Sequence, residues 1–162
     1  MINPATQEQV LDPETHTPVR DPAQIETAAS VVRAQVRGLG HTEQGRQIKT
    51  PDSIIQDLEV IKAVAADNVE ILREADRTRR AARRMHSRAR LVAMKRSELK
   101  SADERKAEAE EACMAEWELA DSAEVAYEYA KSVAGLVDLA KSATQTQSKQ
   151  VEIMYQLAGR GQ

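Results

Sequence analysis

The chain has 162 residues, of which 41% are hydrophobic and 30% charged, with a net charge of −3. It has no phenylalanine, one tryptophan and three tyrosines, which excludes an interior of large side chains and points to a thin helix-on-helix seam. The balanced charge gives no bulk attraction to nucleic acid or membrane, no apolar run approaches the roughly 18–20 residues of a membrane span, and the one cysteine, Cys113, excludes an intrachain disulfide framework.

Residues 1–20 are polar and punctuated by Pro4, Pro13 and Pro18. Such a segment buries little apolar surface, so it predicts an extended arm that needs some other surface to order it. It lacks the basic and apolar regions of a signal peptide. The expected location is therefore the cytoplasm of a cell, or a virion if the protein is a structural component.

A short helix is predicted from Asp21-Pro22, with Asp21 as N-cap, Pro22 in the first turn and Gln24 at the capping-box position. Ile25, Ala28, Ala29, Val32 and Val36 form its apolar face, and Gly38 is the natural stop. Residues 38–50 read as a glycine-containing linker. Gly38-x-Gly40 invites a phosphate-loop reading, but no strand precedes it and no Gly-Lys-Ser/Thr follows.

The rest of the chain, 51–162, predicts a long helical hairpin. Residues 53–158 contain no proline and only Gly135. Thr50-Pro51-Asp52 starts the first arm, which runs to about Lys100, roughly 70 Å at 1.5 Å per residue. Ser101 and Glu104 form a capping box for the second arm, which weakens at 142–150 and resumes to Gly159. The expected inner stripe is Ile54, Leu58, Ile61, Ala65, Val69, Leu72, Ala75, Ala82, Met85, Ala89 and Val92. On the return arm it is Ala112, Ala115, Leu119, Ala123, Ala126, Ala130, Val133, Val137 and Ala140.

Charge favours the fold-back. From Arg73 to Lys100 eleven bases face three acids, a net of +8, and from Asp103 to Glu128 ten acids face two bases, a net of −8. A reversal at Ser101 lays one block along the other. A register summing to 201 would pair Arg73 with Glu128, Arg77 with Glu124, Arg80 with Asp121, Arg83 with Glu118 and Arg90 with Glu111, although matches at this charge density arise in any register. Two straight helices in an antiparallel dimer would satisfy the same blocks. The expected fold class is all-α: a long antiparallel helical hairpin with a short N-terminal helix and an extended N-terminal arm.

The arginine run 77–90 offers Arg79, Arg80, Arg83, Arg84 and Arg88 as phosphate contacts, against the plainer reading of an arm paired with the acidic helix. No aromatics are interleaved for base stacking. Trp117, Tyr127 and Tyr129 are candidate partner contacts, the first two placed on a similar face by their ten-residue spacing. His86 and Cys113 could approach each other across the hairpin, but His16 and His41 lie in loops and no spacing supplies a full set of zinc ligands. No metal or cofactor is assigned. No nucleophile has an identifiable base, so no enzyme is expected.

The turn and return arm, SADERKAEAEEACMAEWELADSAEVAYEYAKS (101–132), resemble those of the small helical-hairpin proteins encoded by tailed phages of actinobacteria, over roughly residues 65–140. The resemblance implies a capped hairpin and a phage origin, some such proteins being encoded among replication and recombination genes. It supplies no functional residue. The expected function is protein–protein contact, as an assembly, adaptor or inhibitor component, with a nucleic-acid-binding accessory factor as the alternative. Ile55, Val60, Val64, Ile71, Leu91 and Leu136 do not fit one narrow seam, which predicts a homo-oligomer, a dimer first, or a host or phage protein partner.

Overall fold

The structure, a computed structural model, describes residues 1–13, 15–39, 41–42, 45–46 and 49–159, with backbone alone for 41–42, 45–46 and 159. The protein is all-α. Among the described residues the helices are α1 (Pro22–Gly38), α2 (Pro51–Arg96), α3 (Ala102–Ala112) and α4 (Met114–Gly159). Two short strands, β1 (His41–Thr42) and β2 (Gly45–Arg46), pair antiparallel with His41 opposite Arg46, within the segment expected to be a plain linker. Gly40 of the phosphate-loop pattern lies outside the described residues. None of the described helices is long and apolar enough to cross a membrane.

The chain forms two compact units. One comprises Met1–Glu26 with Leu72–Ala130, and the other Thr27–Ile71 with Lys131–Gln162.

The helix starts follow the local chemistry. Asp21 Oδ1 accepts the Ala23 amide at 3.0 Å while Gln24 Oε1 accepts the Asp21 amide at 3.3 Å, the reciprocal capping box. Thr50 and Ser53 form a second reciprocal pair: each hydroxyl accepts the other's amide, at 3.2 and 2.9 Å. Ser101 takes the N-cap place of α3 with extended backbone, but its side chain makes no capping bond, so the expected box with Glu104 does not form. The helix expected to run to about Lys100, α2, ends at Arg96.

The helical stretch after Ser101 is broken once, where no break was expected. Cys113, at φ −112° and ψ 21°, separates α3 from α4. The weakening expected at 142–150 does not occur. There α4 is continuous, with the Ser142 and Thr146 hydroxyls donating to the Asp138 and Ser142 carbonyls at 3.0 Å each, so these side chains bond along the helix instead of competing with it.

The buried line of α2 differs from the expected stripe. It steps by three and four through Ile54, Asp57, Ile61, Val64, Asn68, Ile71, Ala75, Thr78 and Ala82 to half-buried Met85, a seven-residue repeat. Val69 and Val92, expected inside, are exposed, and Val64 and Ile71, expected outside, are buried. Three of its positions are polar, which hides the repeat from a search for apolar residues alone. On α4 the seam runs through Glu116, Ala123, Ala126, Ala130, Val133, Val137, Thr144 and Val151, with Ala112 and Ala115 left exposed.

The N-terminal segment is ordered by an internal repeat. Asn3-Pro4, Asp12-Pro13 and Asp21-Pro22 recur every nine residues, and so do Met1, Val10 and Val19. In the first two copies the Asn3 and Asp12 amides donate to the Glu8 and Thr17 carbonyls, and the Gln7 and His16 amides donate back to the Asn3 and Asp12 carbonyls, all at 2.9 Å. Gln7 and His16 both take positive φ, 57° and 54°. The third copy opens α1. Met1, Val10 and Val19 join in a ring: the Val10 amide donates to the Met1 carbonyl, the Val19 amide to the Val10 carbonyl, and the Met1 amine to the Val19 carbonyl. The Met1 and Val19 side chains pack with Ala81, Ala82 and Ala123, flanked by Val10, Met85, Leu119 and Ala120. Alanines on the helices leave the space that these larger side chains fill.

Candidate partner and nucleic-acid surfaces

Both candidate surfaces lie in the unit built from Met1–Glu26 and Leu72–Ala130. At its centre is Arg79, whose guanidinium meets Asp76 at 2.6 Å and Glu124 at 3.5 Å and lies 4.0 Å from the centre of the Tyr127 ring. Asp76 also holds Arg80 at 2.6 Å, and Glu124 holds Arg83 at 2.6 Å. Two carboxylates thus bridge three arginines, a network whose half-buried members interact more strongly than exposed pairs.

Burial alone would push the Asp76 carboxyl up. The bonds and charges of Arg79 and Arg80 outweigh it and hold the carboxyl below its usual value. For Arg79 burial works against the charge, and bonded Asp76, with Glu124 and Tyr127 nearby, raises it regardless.

At Arg77, Arg80, Arg83 and Arg90 the observed pairings replace those expected from charge matching. Arg77 bonds Asp12 of the N-terminal segment at 3.2 Å, not Glu124, and Arg80 bonds Asp76 of its own helix, not Asp121. Arg83 reaches Glu124 in place of Glu118, and Arg90 reaches Glu110 at 2.9 Å in place of Glu111. Neighbours on the same helix and on the N-terminal segment compete for the same guanidinium groups, and a count across two arms omits both.

The five arginines proposed to meet phosphate therefore divide. Arg79 is enclosed by its partners. Arg80 and Arg83 are exposed but each holds a carboxylate. Arg84 and Arg88 are exposed and, among the described residues, enter no ion pair. Arg84 borders a polar hollow with Arg73, Arg77, Arg80, Asp12 and Asp76, and Arg88 borders a separate, more apolar cleft beside Met85, Val92 and Cys113.

The three aromatic candidates do not form one surface. Ten residues are about 2.8 turns, which leaves roughly 80° between the Trp117 and Tyr127 side chains. Tyr127 lies under Arg79, and Tyr129 is half-buried. Trp117 is 50% exposed and lines a hollow with Met114, His86, Arg90 and Glu110.

Cys113 is buried, and its thiol is pushed up, first by burial and then by the Glu116 charge, with Arg90 opposing. Among the described residues no group of three or more His, Cys, Asp or Glu side chains is placed to hold a metal.

Sequence reasoning missed the residues that fasten the N-terminal segment. Arg20 pairs with Glu74 at 2.7 Å, Thr78 donates to the Arg20 carbonyl at 3.1 Å, and Asp12 takes Arg77. The signal available was the nine-residue recurrence of Asn/Asp-Pro. Comparison with family models, with curated proteins and with solved structures gives no match.

Proposed function

We propose that this chain is a non-enzymatic helical-hairpin protein, of phage origin, that works through protein–protein contact as an assembly, adaptor or inhibitor component. The observation that carries the reading is Trp117. It is the one tryptophan of the chain, it stands half-exposed in a hollow edged by Met114, and it lies away from the seam that its neighbours fill. Tryptophan is enriched among the side chains that anchor protein interfaces, and flexible methionine is common on adaptable binding surfaces. The engagement of Arg79, Arg80 and Arg83 with carboxylates supports the same reading, because it removes charge from any phosphate contact.

The test is a pull-down from host lysate with the wild-type chain and with Trp117→Ala. A partner captured by the first and lost with the second is the expected result. Equal capture by both overturns the assignment of Trp117.

A second reading, a nucleic-acid-binding accessory factor for replication or recombination, rests on Arg84 and Arg88, which enter no ion pair among the described residues. Under the first reading, binding to DNA or RNA at physiological salt is weak and sequence-blind, about 10⁻⁴ M or weaker. Submicromolar, salt-dependent binding that falls when both arginines become alanine establishes the second.

A further inference from the structure

The outer side of α4 carries a second seven-residue repeat that nothing among the described residues covers. Leu136, Leu139, Ala143, Thr146, Gln150, Ile153 and Leu157 follow the alternating steps of three and four residues that mark a coiled-coil seam. All are exposed, Leu139 at 68% and Leu157 at 65%. The buried seam of the same stretch, through Val137, Thr144 and Val151, lies roughly a third of a turn away. The stretch has four charged residues, Asp138, Lys141, Lys149 and Glu152, and all four fall on the remaining third of the helix. A helix side meant for water carries charge. Here the charge is confined to one side, and two sides are left uncharged.

We infer that this second seam is the interface between two copies of the chain, paired antiparallel about a twofold axis. A seam without charge carries no repulsion against its own copy, which any seam with charge of one sign would. From Leu136 to Leu157 it spans three heptads, the length at which such a seam becomes distinctive. Its side chains complement themselves when the direction is reversed. In the register where paired numbers sum to 296, Leu139 meets Leu157, small Ala143 meets larger Ile153, and Thr146 meets Gln150, so the self-complementary layers run from Leu139 to Leu157 and Leu136 lies outside them. The Thr146 hydroxyl already donates to the Ser142 carbonyl, so its oxygen is left to accept the side-chain amide of Gln150 from the second copy. Parallel pairing would set Ala143 on Ala143 and leave a gap. The central polar pair fixes the register, as single polar layers do in coiled coils.

This deepens the protein-contact reading by naming one partner as a second copy, and it uses none of the residues around Trp117. Light scattering after size exclusion at micromolar concentration is the measurement, with circular dichroism showing that each variant keeps its helix. The wild type is a dimer. Leu139→Lys and Leu157→Glu each weaken it about a hundredfold or more by placing an unpaired charge in the seam. The double variant recovers the dimer, because reversed pairing sets each new lysine against a new glutamate. A wild-type monomer overturns the proposal and leaves the seam to a different protein. Single variants that remain dimeric overturn the seam, and a double variant that stays monomeric overturns the antiparallel register. The Trp117→Ala pull-down is unaffected by any of these results, so the two readings fail separately.

Discussion

Thr78, a fully buried residue in the middle of α2, donates its hydroxyl to the Arg20 carbonyl 3.1 Å away. A helix interior is an unfavourable place for threonine on propensity alone. Its presence is explained by the segment that it fastens. Thr78→Val keeps the shape and removes the donor, leaving the carbonyl without its bond. The expected cost is about 1–2 kcal/mol in denaturant unfolding, and the amides of Val10 and Val19 should exchange faster with solvent.

The Asp76 network makes stability depend on acid. A carboxyl held below its usual value contributes stability in full above its unfolded value, here near 3.8, and loses it as the pH falls through the folded value. The unit holding Asp76 should therefore weaken below about pH 4. Asp76→Asn should cost about 1–2 kcal/mol at neutral pH, since it strips a carboxylate from Arg79 and Arg80. Melting curves of the two proteins should converge at acid pH, and curves that stay parallel would refute the assignment.

Gln7 and His16 occupy equivalent places in the nine-residue repeat, both with positive φ. Glycine suits this backbone and β-branched residues do not. His16→Gly should be tolerated or slightly stabilising, whereas His16→Val should cost about 1–2 kcal/mol. The same contrast should appear at Gln7, read by thermal melting.

Cys113 should be slow to react. Its thiol is buried and pushed up by that burial and by Glu116, so little thiolate exists at neutral pH. Alkylation of the native protein should run at least about tenfold slower than that of the denatured chain. Comparable rates would mean that the α3–α4 break opens readily.

The helix starts were legible in the sequence because they rest on local chemistry. Asp21-Pro22 with Gln24 and Thr50-Pro51 each cap where the residues say they should. The seam was legible only as a tendency. A stripe traced through Val69 and Val92 drifts off the buried line because Asp57, Asn68 and Thr78 hold three of its positions, and polar residues are invisible to a search for apolar spacing. The ion pairs were not legible at all, since Arg77 could choose among Asp12, Glu124 and its own helix, and only three-dimensional proximity decides. Trp117 and Tyr127 were expected to share a side, yet ten residues fall about 80° short of whole turns.

The docking of Met1 and Val19 on Ala81, Ala82 and Ala123 also has a consequence for the order of folding. Their receiving surface is shared between α2 and α4, residues about forty apart in sequence, so it does not exist until those two helices have met. The N-terminal segment should then join last in folding and leave first in unfolding. Val19→Ala should speed unfolding and leave the folding rate nearly unchanged, a φ-value near zero, whereas truncations at Ala-rich seam contacts such as Val133 should slow folding itself.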